Sequence, residues 1–335
     1  MSSERRRGLI RLGILLGSVA ALVVVGWGAT FGSSSDGTGG RGTTAASAGS
    51  SAPVRLKAER SANRLPVALH GETVAATTGG LLVIGGENGG GSSTDTVYRL
   101  DPVNGRTAAS GSLVQPLHDA AAATVGGQTL VFGGGNTSTL DQVQALTTDG
   151  PARPVGRLPA ALSDLSAVAV GGAAYVLGGY DGQTTSASVF QTTSGATLTR
   201  VADLPTPVRY AAAAVLGDKV YAFGGELADG SDTNRIQEYD IATQRAVVVG
   251  HLPDSVSHAS AVTLDGAIYL LGGRIRGGAS DQILRFDPSR NVALRAGHLP
   301  QAVFDGAAST YHGRAYLLGG LGAGETALDT VIALH

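Results

Sequence analysis

One short pattern, an apolar run that ends in two glycines, occurs six times along this chain. The first glycines of successive doublets are 48, 45, 46, 48 and 47 residues apart. Similarity at a fixed period of this length indicates that one structural unit is repeated and that each copy packs on its neighbours. The six runs cover residues 82–86, 130–134, 175–179, 221–225, 269–273 and 316–320.

Each repeat contains the pattern of four short strands. Small residues precede the doublet, as at 120–123 and 211–214, and a turn that contains glycine separates the two runs. Such turns favour tight hairpins because glycine adopts positive φ. A third run alternates apolar and polar residues, which is typical of a half-buried strand, and in several repeats a fourth run ends in Leu-Pro. Four-stranded units repeated radially predict an all-β, six-bladed β-propeller.

The last blade is predicted to close with a strand from the other end of the chain. The sequence ends directly after the third run of the sixth repeat. Residues 54–58, which precede Leu65 and Pro66, have the position and pattern of the missing fourth strand. We therefore expect residues 54–58 to pair with residues 329–334, which removes two exposed sheet edges.

Over residues 53–335 the chain resembles the Kelch-repeat family. The resemblance rests on the doublets, on the period and on an aromatic residue in the third strand. These aromatic residues are Tyr98, Phe190, Tyr239 and Phe286. Kelch repeats usually carry a tryptophan after that strand, whereas the single tryptophan here is Trp27. The resemblance implies a propeller that binds ligands at one mouth of its central channel.

The N-terminal residues differ in composition from the repeats. Residues 1–11 are rich in arginine, and residues 12–31 carry no charge. A helix of that length spans about 30 Å, the thickness of a bilayer core, and its basic flank stays in the cytoplasm. We therefore predict a short cytoplasmic tail at 1–11, a transmembrane signal anchor at 12–31, a disordered linker at 32–52 and an extracytoplasmic propeller at 53–335. A cleaved signal peptide, which would make the protein secreted, is the alternative for residues 12–31.

Charge and cysteine content exclude several classes of function. The formal net charge is −2, and beyond residue 11 acidic residues outnumber basic ones, which argues against binding along nucleic-acid phosphates. The chain has no cysteine, which excludes disulfides and thiolate metal sites. Within the Kelch resemblance, it also argues against galactose-oxidase-like copper chemistry, which uses a Tyr–Cys crosslink. We predict neither a metal nor a cofactor.

The resemblance implies two kinds of ligand-contacting position at the mouth. One kind directly precedes the small-residue strand, and the other directly follows the Gly-Gly doublet. The first kind gives His70, His118, Asp119, Asp164, Arg209, Tyr210, His258 and Asp305, and the second gives Glu87, Tyr180, Glu226 and Arg274. Loops that converge on one rim with such side chains predict a polar binding site. The alternative is that each side chain only caps or solvates its own turn, and that Arg209 and Glu226 form an ion pair.

Three functions are compatible with these residues. The first is a membrane-tethered binding module whose mouth takes a glycan, a peptide or an extracytoplasmic envelope protein. The second is a sugar mutarotase or epimerase, since sialic-acid mutarotase-like proteins are also extracytoplasmic Kelch propellers. Glu226 with Arg209 or His258 would then supply acid–base chemistry. The third is a structural scaffold without a small ligand. The sequence favours the binding module, because no catalytic motif accompanies the anchor, the linker and the repeats.

Overall fold

The structure, a computed structural model, describes residues 55–147 and 149–335. These residues form 26 β-strands and no helix, as expected for the predicted all-β class. Among them there is accordingly no helix of sufficient length and hydropathy to span a bilayer. The predicted tail at 1–11, anchor at 12–31 and linker at 32–52 lie outside the described residues.

Most strands belong to six antiparallel units of four strands, numbered in chain order. Unit 1 contains β2 (Thr73–Thr77), β3 (Gly80–Ile84), β5 (Thr94–Leu100) and β6 (Thr107–Leu117). Unit 2 contains β7 (Ala121–Val125), β8 (Gln128–Phe132), β9 (Gln142–Thr147) and β10 (Gly150–Arg157). Unit 3 contains β11 (Ser163–Val170), β12 (Ala173–Tyr180), β13 (Ser188–Thr192) and β14 (Thr199–Asp203).

The second half of the chain continues the same order, and the last unit takes its fourth strand from the N-terminal side. Unit 4 contains β15 (Ala212–Leu216), β16 (Lys219–Phe223), β17 (Arg235–Asp240) and β18 (Arg245–His251). Unit 5 contains β19 (Ser260–Leu264), β20 (Ala267–Leu271), β22 (Gly278–Asp287) and β23 (Val292–Val303). Unit 6 contains β24 (Ala307–Tyr311), β25 (Arg314–Leu318), β26 (Leu328–Leu334) and β1 (Ala58–His70). Two short strands, β4 (Glu87–Asn88) and β21 (Arg274–Ile275), follow the doublets of units 1 and 5.

The first strand of each unit lies beside the first strands of two other units. The contacts run in the cyclic order β2, β7, β11, β15, β19, β24 and back to β2. These strands are built mainly from alanine, valine, serine and threonine, since only small side chains fit where six strands converge. On the outside, β6 meets β10 and β18 meets β23 at one parallel position each, which joins neighbouring units.

Much of the buried core lies between neighbouring units, because each sheet has two faces to cover. Tyr221 and Phe223 of unit 4 pack against Phe286 of unit 5, with ring centroids 5.0 and 5.3 Å apart. All three side chains are almost completely buried. Phe286 is one of the third-strand aromatic residues that carry the family resemblance, and its role is therefore to fill this interface.

The closing strand is present, but it lies further along the chain than predicted. β1 begins at Ala58 and pairs with β26, from Ala58 opposite Leu334 to Leu69 opposite Leu328. The predicted pairing with residues 329–334 is confirmed, but the predicted range of 54–58 coincides with the strand only at Ala58, and Lys57 continues the pairing with two backbone hydrogen bonds to His335. The strand runs on to His70 instead of ending at Ala58. The physical reason is burial: Leu65 and Leu69 of β1 belong to the core shared by units 1 and 6.

Candidate functional site

Residues of the two predicted kinds lie next to each other in every unit. The residue before the first strand and the residue after the doublet face each other across an antiparallel pairing. The six pairs are His70 with Glu87, His118 with Gly135, Ser163 with Tyr180, Arg209 with Glu226, Ser257 with Arg274, and Phe304 with Leu321. The doublet permits this close approach: at Gly225 φ is 103°, and a Cβ there would lie 2.8 Å from the carbonyl oxygen of Arg209.

Backbone hydrogen bonds join the six units in a closed ring at this end of the channel. In each unit, the residue that directly follows the first member of the pair forms one link of the ring. Its backbone N–H donates to the backbone carbonyl oxygen of the equivalent residue in the preceding unit, with N···O distances of 2.7 to 3.0 Å. Unit 1 follows unit 6 in this cycle, so the ring has no open end. The six residues, which we call the rim, are Gly71, Asp119, Asp164, Tyr210, His258 and Asp305.

All six rim residues have a left-handed backbone, with φ between 51° and 60°. Gly71 adopts this conformation with little strain, whereas in each residue with a Cβ it costs about 1 kcal/mol or more of folding free energy. The five other rim side chains line a cavity of about 180 Å³ that continues into an alanine-rich channel. Residues held in sparsely populated conformations cluster at ligand sites, which favours a function for these side chains.

Tyr210 and His258 form a stacked pair over the cavity. Their ring centroids are 3.7 Å apart, and the Tyr210 hydroxyl donates to Oδ2 of Asp119 at 3.2 Å, past the intervening Asp164. Burial lowers the pKa of His258, so its imidazole is neutral at pH 7, and burial raises the pKa of Tyr210, so its hydroxyl stays protonated. A flat apolar face with polar edges suits a sugar ring or a planar side chain.

Five charged side chains on one side of the mouth form an ion-pair network, the arginine sector. Its members are Asp164, Arg209, Glu226, Asp232 and Arg274. Arg209 donates from Nε to Oε1 of Glu226 at 2.9 Å and from Nη1 to Oδ2 of Asp164 at 3.3 Å. Arg274 of the next unit donates from Nη2 to Oε2 of Glu226 at 2.7 Å. The ion pair between Arg209 and Glu226, which the sequence left as an alternative, is therefore present, and its network extends across units 3, 4 and 5.

This network bears on the three catalytic candidates, Glu226, Arg209 and His258. Glu226 is buried, and both of its carboxylate oxygens accept guanidinium hydrogen bonds. The Arg209 guanidinium also lies 4.6 Å from the ring centroid of Tyr180, a cation–π contact that holds the side chain in place. Arg209 and Glu226 are therefore held in position by each other and by their neighbours, whereas His258 lies outside this network.

The opposite side of the mouth has a different charge pattern, and we call it the acidic sector. It consists of Asp305, His70, Glu87, His118 and Asp119, in which carboxylates and imidazoles alternate around Gly71. His70 Nδ1 lies 3.0 Å from Asp305 Oδ2, and His70 Nε2 lies 3.6 Å from Glu87 Oε1. His118 lies 3.8 Å from both Glu87 and Asp119. Among the described residues, the ion pairs of these three carboxylates involve histidines alone.

The electrostatic environment of the rim shifts several pKa values. Burial raises the pKa of Asp119 well above its usual range, and repulsion from Asp305 and Asp164 adds to this effect. Burial also raises the pKa of Asp164. The hydrogen bond to Asp305 raises the pKa of His70. Asp119 and Asp164 therefore resist ionisation in the folded protein, whereas the imidazolium form of His70 is favoured beside Asp305.

Sequence reasoning missed two ionisable residues at the site, Asp232 of the arginine sector and Glu72. Glu72 differs most from its equivalents in the other units. It follows Gly71 at the edge of the cavity and is only 6% exposed. Its carboxyl oxygens are shielded from solvent, Oε1 lies against Gly319 of unit 6, and neither oxygen has a hydrogen-bond partner among the described residues. Burial raises its pKa to about 8. The signal was available in the repeat alignment, because the equivalent residues in the other units are Ala120, Leu165, Ala211, Ala259 and Gly306.

All ten residues predicted to bind a ligand lie in the rim or directly beside it. They are His118, Asp119, Asp164, Tyr180, Arg209, Tyr210, Glu226, His258, Arg274 and Asp305. Another residue that the sequence analysis did not name is Ser93, whose hydroxyl lies 2.8 Å from Nδ1 of His118. In the part of the chain that the structure describes, no three His, Asp or Glu side chains are arranged to hold a metal ion.

Comparisons with known proteins agree with this architecture. The family described as "KLHDC2/KLHL20/DRC7 Kelch-repeats domain" matches residues 164–335. No curated protein matches the chain. One similar solved structure, titled "Structure of YjhT", has 17% sequence identity and a TM-score of 0.71, and the match covers 81% of this chain and 96% of that one. At this identity the similarity shows the fold alone.

Proposed function

We propose that this chain, which belongs to the Kelch-repeat family, is a binding module that takes a small polar group of its ligand into the rim. The observation that carries this proposal is the rim itself. Five side chains are held there in left-handed conformations around one cavity, at a cost in stability that glycine would avoid. Such a cost is reasonable where the side chains are needed for recognition.

The six units are the six blades of one propeller, and the rim is one mouth of its channel. The cyclic contacts of the first strands and the closed ring of hydrogen bonds support this assignment. The opposite end of the channel is lined by residues such as Thr77, Thr124, Tyr311 and His312 and carries no carboxylate in its described lining. The charged rim is therefore the better candidate for specific recognition of a polar ligand.

The propeller acts outside the cytoplasm on a membrane tether. Residues 12–31 form the anchor and residues 32–52 the linker, and the support is the charge and hydropathy pattern of the sequence. The ligand is then a glycan, a peptide or an envelope protein. Membrane fractionation, followed by protease treatment of intact cells, tests this placement. We expect the full chain in the membrane fraction with its propeller accessible, and a chain without residues 1–31 should leave that fraction.

Binding at the rim is tested with a matched pair of histidine variants. His258 lies in the rim and His312 at the opposite end of the channel, and both have positive φ, 53° and 50°. Asparagine tolerates this conformation, so His258→Asn and His312→Asn are equivalent changes at the two mouths. Sugars, amines and carboxylates are screened by thermal shift of the full chain in mild detergent, since a bound ligand raises the melting temperature.

We expect a ligand that stabilises the wild type to lose about tenfold in affinity in His258→Asn and to keep it in His312→Asn. The stacked pair with Tyr210 is the reason, because Asn removes one of its two rings. Equal binding by both variants would place the site elsewhere. If no compound of any class shifts the melting temperature, the structural-scaffold alternative gains support.

A further inference from the structure

Non-covalent contacts hold β1 to the C-terminal residues 305–335, and we call this boundary the closing joint. Among the described residues, two ion pairs cross it. The pair of Arg64 with Asp329 is exposed on both sides, so its contribution to stability is small. The pair of His70 with Asp305 is more buried, with side chains that are 20% and 14% exposed and 3.0 Å between Nδ1 and Oδ2. The better protected ion pair of the closing joint therefore depends on a histidine.

His70 occupies in unit 1 the position that Arg209 occupies in unit 4. Arg209 bridges two carboxylates, one on the rim residue of the preceding unit and one on the residue after the doublet of its own unit. His70 lies between the equivalent carboxylates, Asp305 of unit 6 and Glu87 of unit 1, at 3.0 and 3.6 Å. The same bridge therefore joins units 3 and 4 through a guanidinium and units 6 and 1 through an imidazole.

The two bridges differ in their response to pH. A guanidinium keeps its charge and all of its N–H donors throughout the pH range in which proteins are folded. An imidazole has two N–H donors only in its protonated form, whereas the neutral ring has one donor and no charge. Neutral His70 can therefore donate to Asp305 or to Glu87, but it no longer attracts both carboxylates.

The surroundings of His70 favour its protonated form. The hydrogen bond to Asp305 raises the pKa of His70 and the negative charge of Glu87 adds to this effect, whereas burial opposes it. These two carboxylates are the charged groups that contact the ring. The other titratable groups on the elements packed around it are His118, Asp119 and Glu72.

We propose that His70 is a proton-dependent latch of the closing joint. The protonated imidazole holds Asp305 and Glu87 together across units 6 and 1, and loss of the proton releases one of these carboxylates and loosens the adjoining part of the rim. Asp305 and Gly71, which directly follows His70, are both rim residues, so the latch controls how firmly the rim is closed. This device goes beyond the proposed binding function and requires no ligand.

The latch predicts that the rim loosens at the closing joint as the pH rises. Because the folded chain holds the His70 proton more tightly than the unfolded chain, the stabilisation is complete below about pH 6.5 and is lost as the pH rises through the raised pKa. The bridge of Arg209 between units 3 and 4 should show no such loss, because a guanidinium stays charged.

Hydrogen exchange of the full chain in mild detergent tests the latch within one molecule. The backbone N–H of Gly71 donates to Asp305 at 3.0 Å, and that of Tyr210 makes the equivalent bond to Asp164 at 2.9 Å. Protection factors, which correct for the intrinsic effect of pH on exchange, are measured at pH 6 and pH 9 by mass spectrometry on short peptides that contain each residue. We expect the protection of Gly71 to fall by about tenfold relative to that of Tyr210. An equal change at both residues would overturn the proposal.

Variants of His70 should remove the pH response in opposite ways. His70→Gln cannot be protonated, so the protection of Gly71 should be low at both pH values. His70→Arg reproduces the bridge of unit 4, so the protection should be high at both. His298→Gln is the control, because His298 also pairs with an aspartate, Asp281 at 3.2 Å, but on the exposed outer strands. It should keep the wild-type response, and retention of that response in His70→Gln would refute the latch.

Two further variants keep the test decisive. If His70→Arg fails to fold, as judged by circular dichroism, Asp305→Asn removes the partner charge without adding bulk and should also abolish the pH response. Glu72 loses a proton over a similar pH range beside Gly71, so the response must persist in Glu72→Gln. A response that disappears in Glu72→Gln and persists in His70→Gln would belong to Glu72 and would show that the latch is wrong. Since no ligand is used, neither result depends on whether the rim binds one.

Discussion

At the scale of single residues, the rim combines a recurrent backbone conformation with side chains that differ from unit to unit. Six residues share a left-handed φ because the closed ring of hydrogen bonds requires it. The side chains at these positions are three aspartates, a tyrosine, a histidine and none at Gly71. The backbone is therefore repeated for architecture, while the side chains make the site asymmetric.

A side chain introduced at Gly71 should destabilise the protein more than one introduced at a glycine that has the same φ but open space around it. Gly71 and Gly126 have nearly equal φ, 60° and 58°, but an added Cβ overlaps Asp119 only at Gly71. We expect Gly126→Ala to lower the free energy of unfolding by about 1 kcal/mol, through backbone strain alone. Gly71→Ala should lower it by about 2–3 kcal/mol, because the contact with Asp119 must also relax. Urea unfolding of both variants measures the difference, and equal losses would show that Asp119 moves freely.

Glu72 should make the protein less stable as the pH rises. Its pKa is raised to about 8 in the folded state, against about 4.3 in an unfolded chain. Between these values the folded state retains a proton that the unfolded state has lost, so the free energy of unfolding falls with increasing pH. Glu72→Gln removes this dependence, so its stability relative to the wild type should rise by about 4 kcal/mol between pH 4.5 and pH 8.

Thermal unfolding at several pH values checks this prediction. Glu59→Gln is the control, because Glu59 is exposed and pairs only with the exposed Lys57. If the melting temperatures of Glu72→Gln and the wild type change with pH in parallel, the Glu72 carboxyl ionises normally in the folded protein.

At the scale of elements, β1 has the most consequential position, since it is the fourth strand of unit 6 and comes from the opposite end of the described sequence. Its pairing with β26 covers an edge that would otherwise offer free N–H and C=O groups to other chains. Its register is interrupted at two places, so its side chains do not alternate regularly. Leu69 is 1% exposed, whereas Val67, two residues earlier, is 41% exposed.

Truncating the side chains of Leu69 and Val67 distinguishes the contribution of core packing to stability from that of strand propensity. Leu69→Ala should lower the free energy of unfolding by about 2–5 kcal/mol, because it leaves a cavity in the core shared by units 1 and 6. Val67→Ala on the same strand should change it by about 0.5 kcal/mol or less, because its side chain faces solvent. Denaturant unfolding provides both values, and similar losses would mean that β1 contributes through hydrogen bonds more than through packing.

At the scale of the whole molecule, closure should make folding depend on residues far apart in sequence. Deletion of residues 1–70 removes β1 and leaves unit 6 with three strands and an open edge. We expect this protein to aggregate or to lose cooperative unfolding, whereas deletion of residues 1–54 should preserve both solubility and a single transition. Size-exclusion chromatography and thermal unfolding distinguish the two. Cooperative folding of the shorter protein would show that five complete units suffice.

Sequence alone determined the repeated unit, its four strands and the general place of a polar mouth. These follow from local patterns: the spacing of Gly-Gly doublets, the alternation of apolar residues, and the two positions that flank the first strand in every repeat. It also indicated that a strand from the N-terminal side closes unit 6, although it placed that strand at residues 54–58 rather than from Ala58 onward. Burial of Leu65 and Leu69 accounts for the greater length of the strand, and burial is not visible in a short pattern.

Only the tertiary structure decided which charges compensate each other. Arg209 pairs with Asp164 and Glu226, and Arg274 reaches Glu226 from the next unit, whereas the carboxylates of the acidic sector pair with His70 and His118. The closed rim and the unpaired carboxyl of Glu72 likewise depend on contacts between units that lie more than 40 residues apart in sequence. A repeat pattern predicts backbone geometry because that geometry is local, whereas ion pairing and burial depend on distances in space that the repeat does not encode.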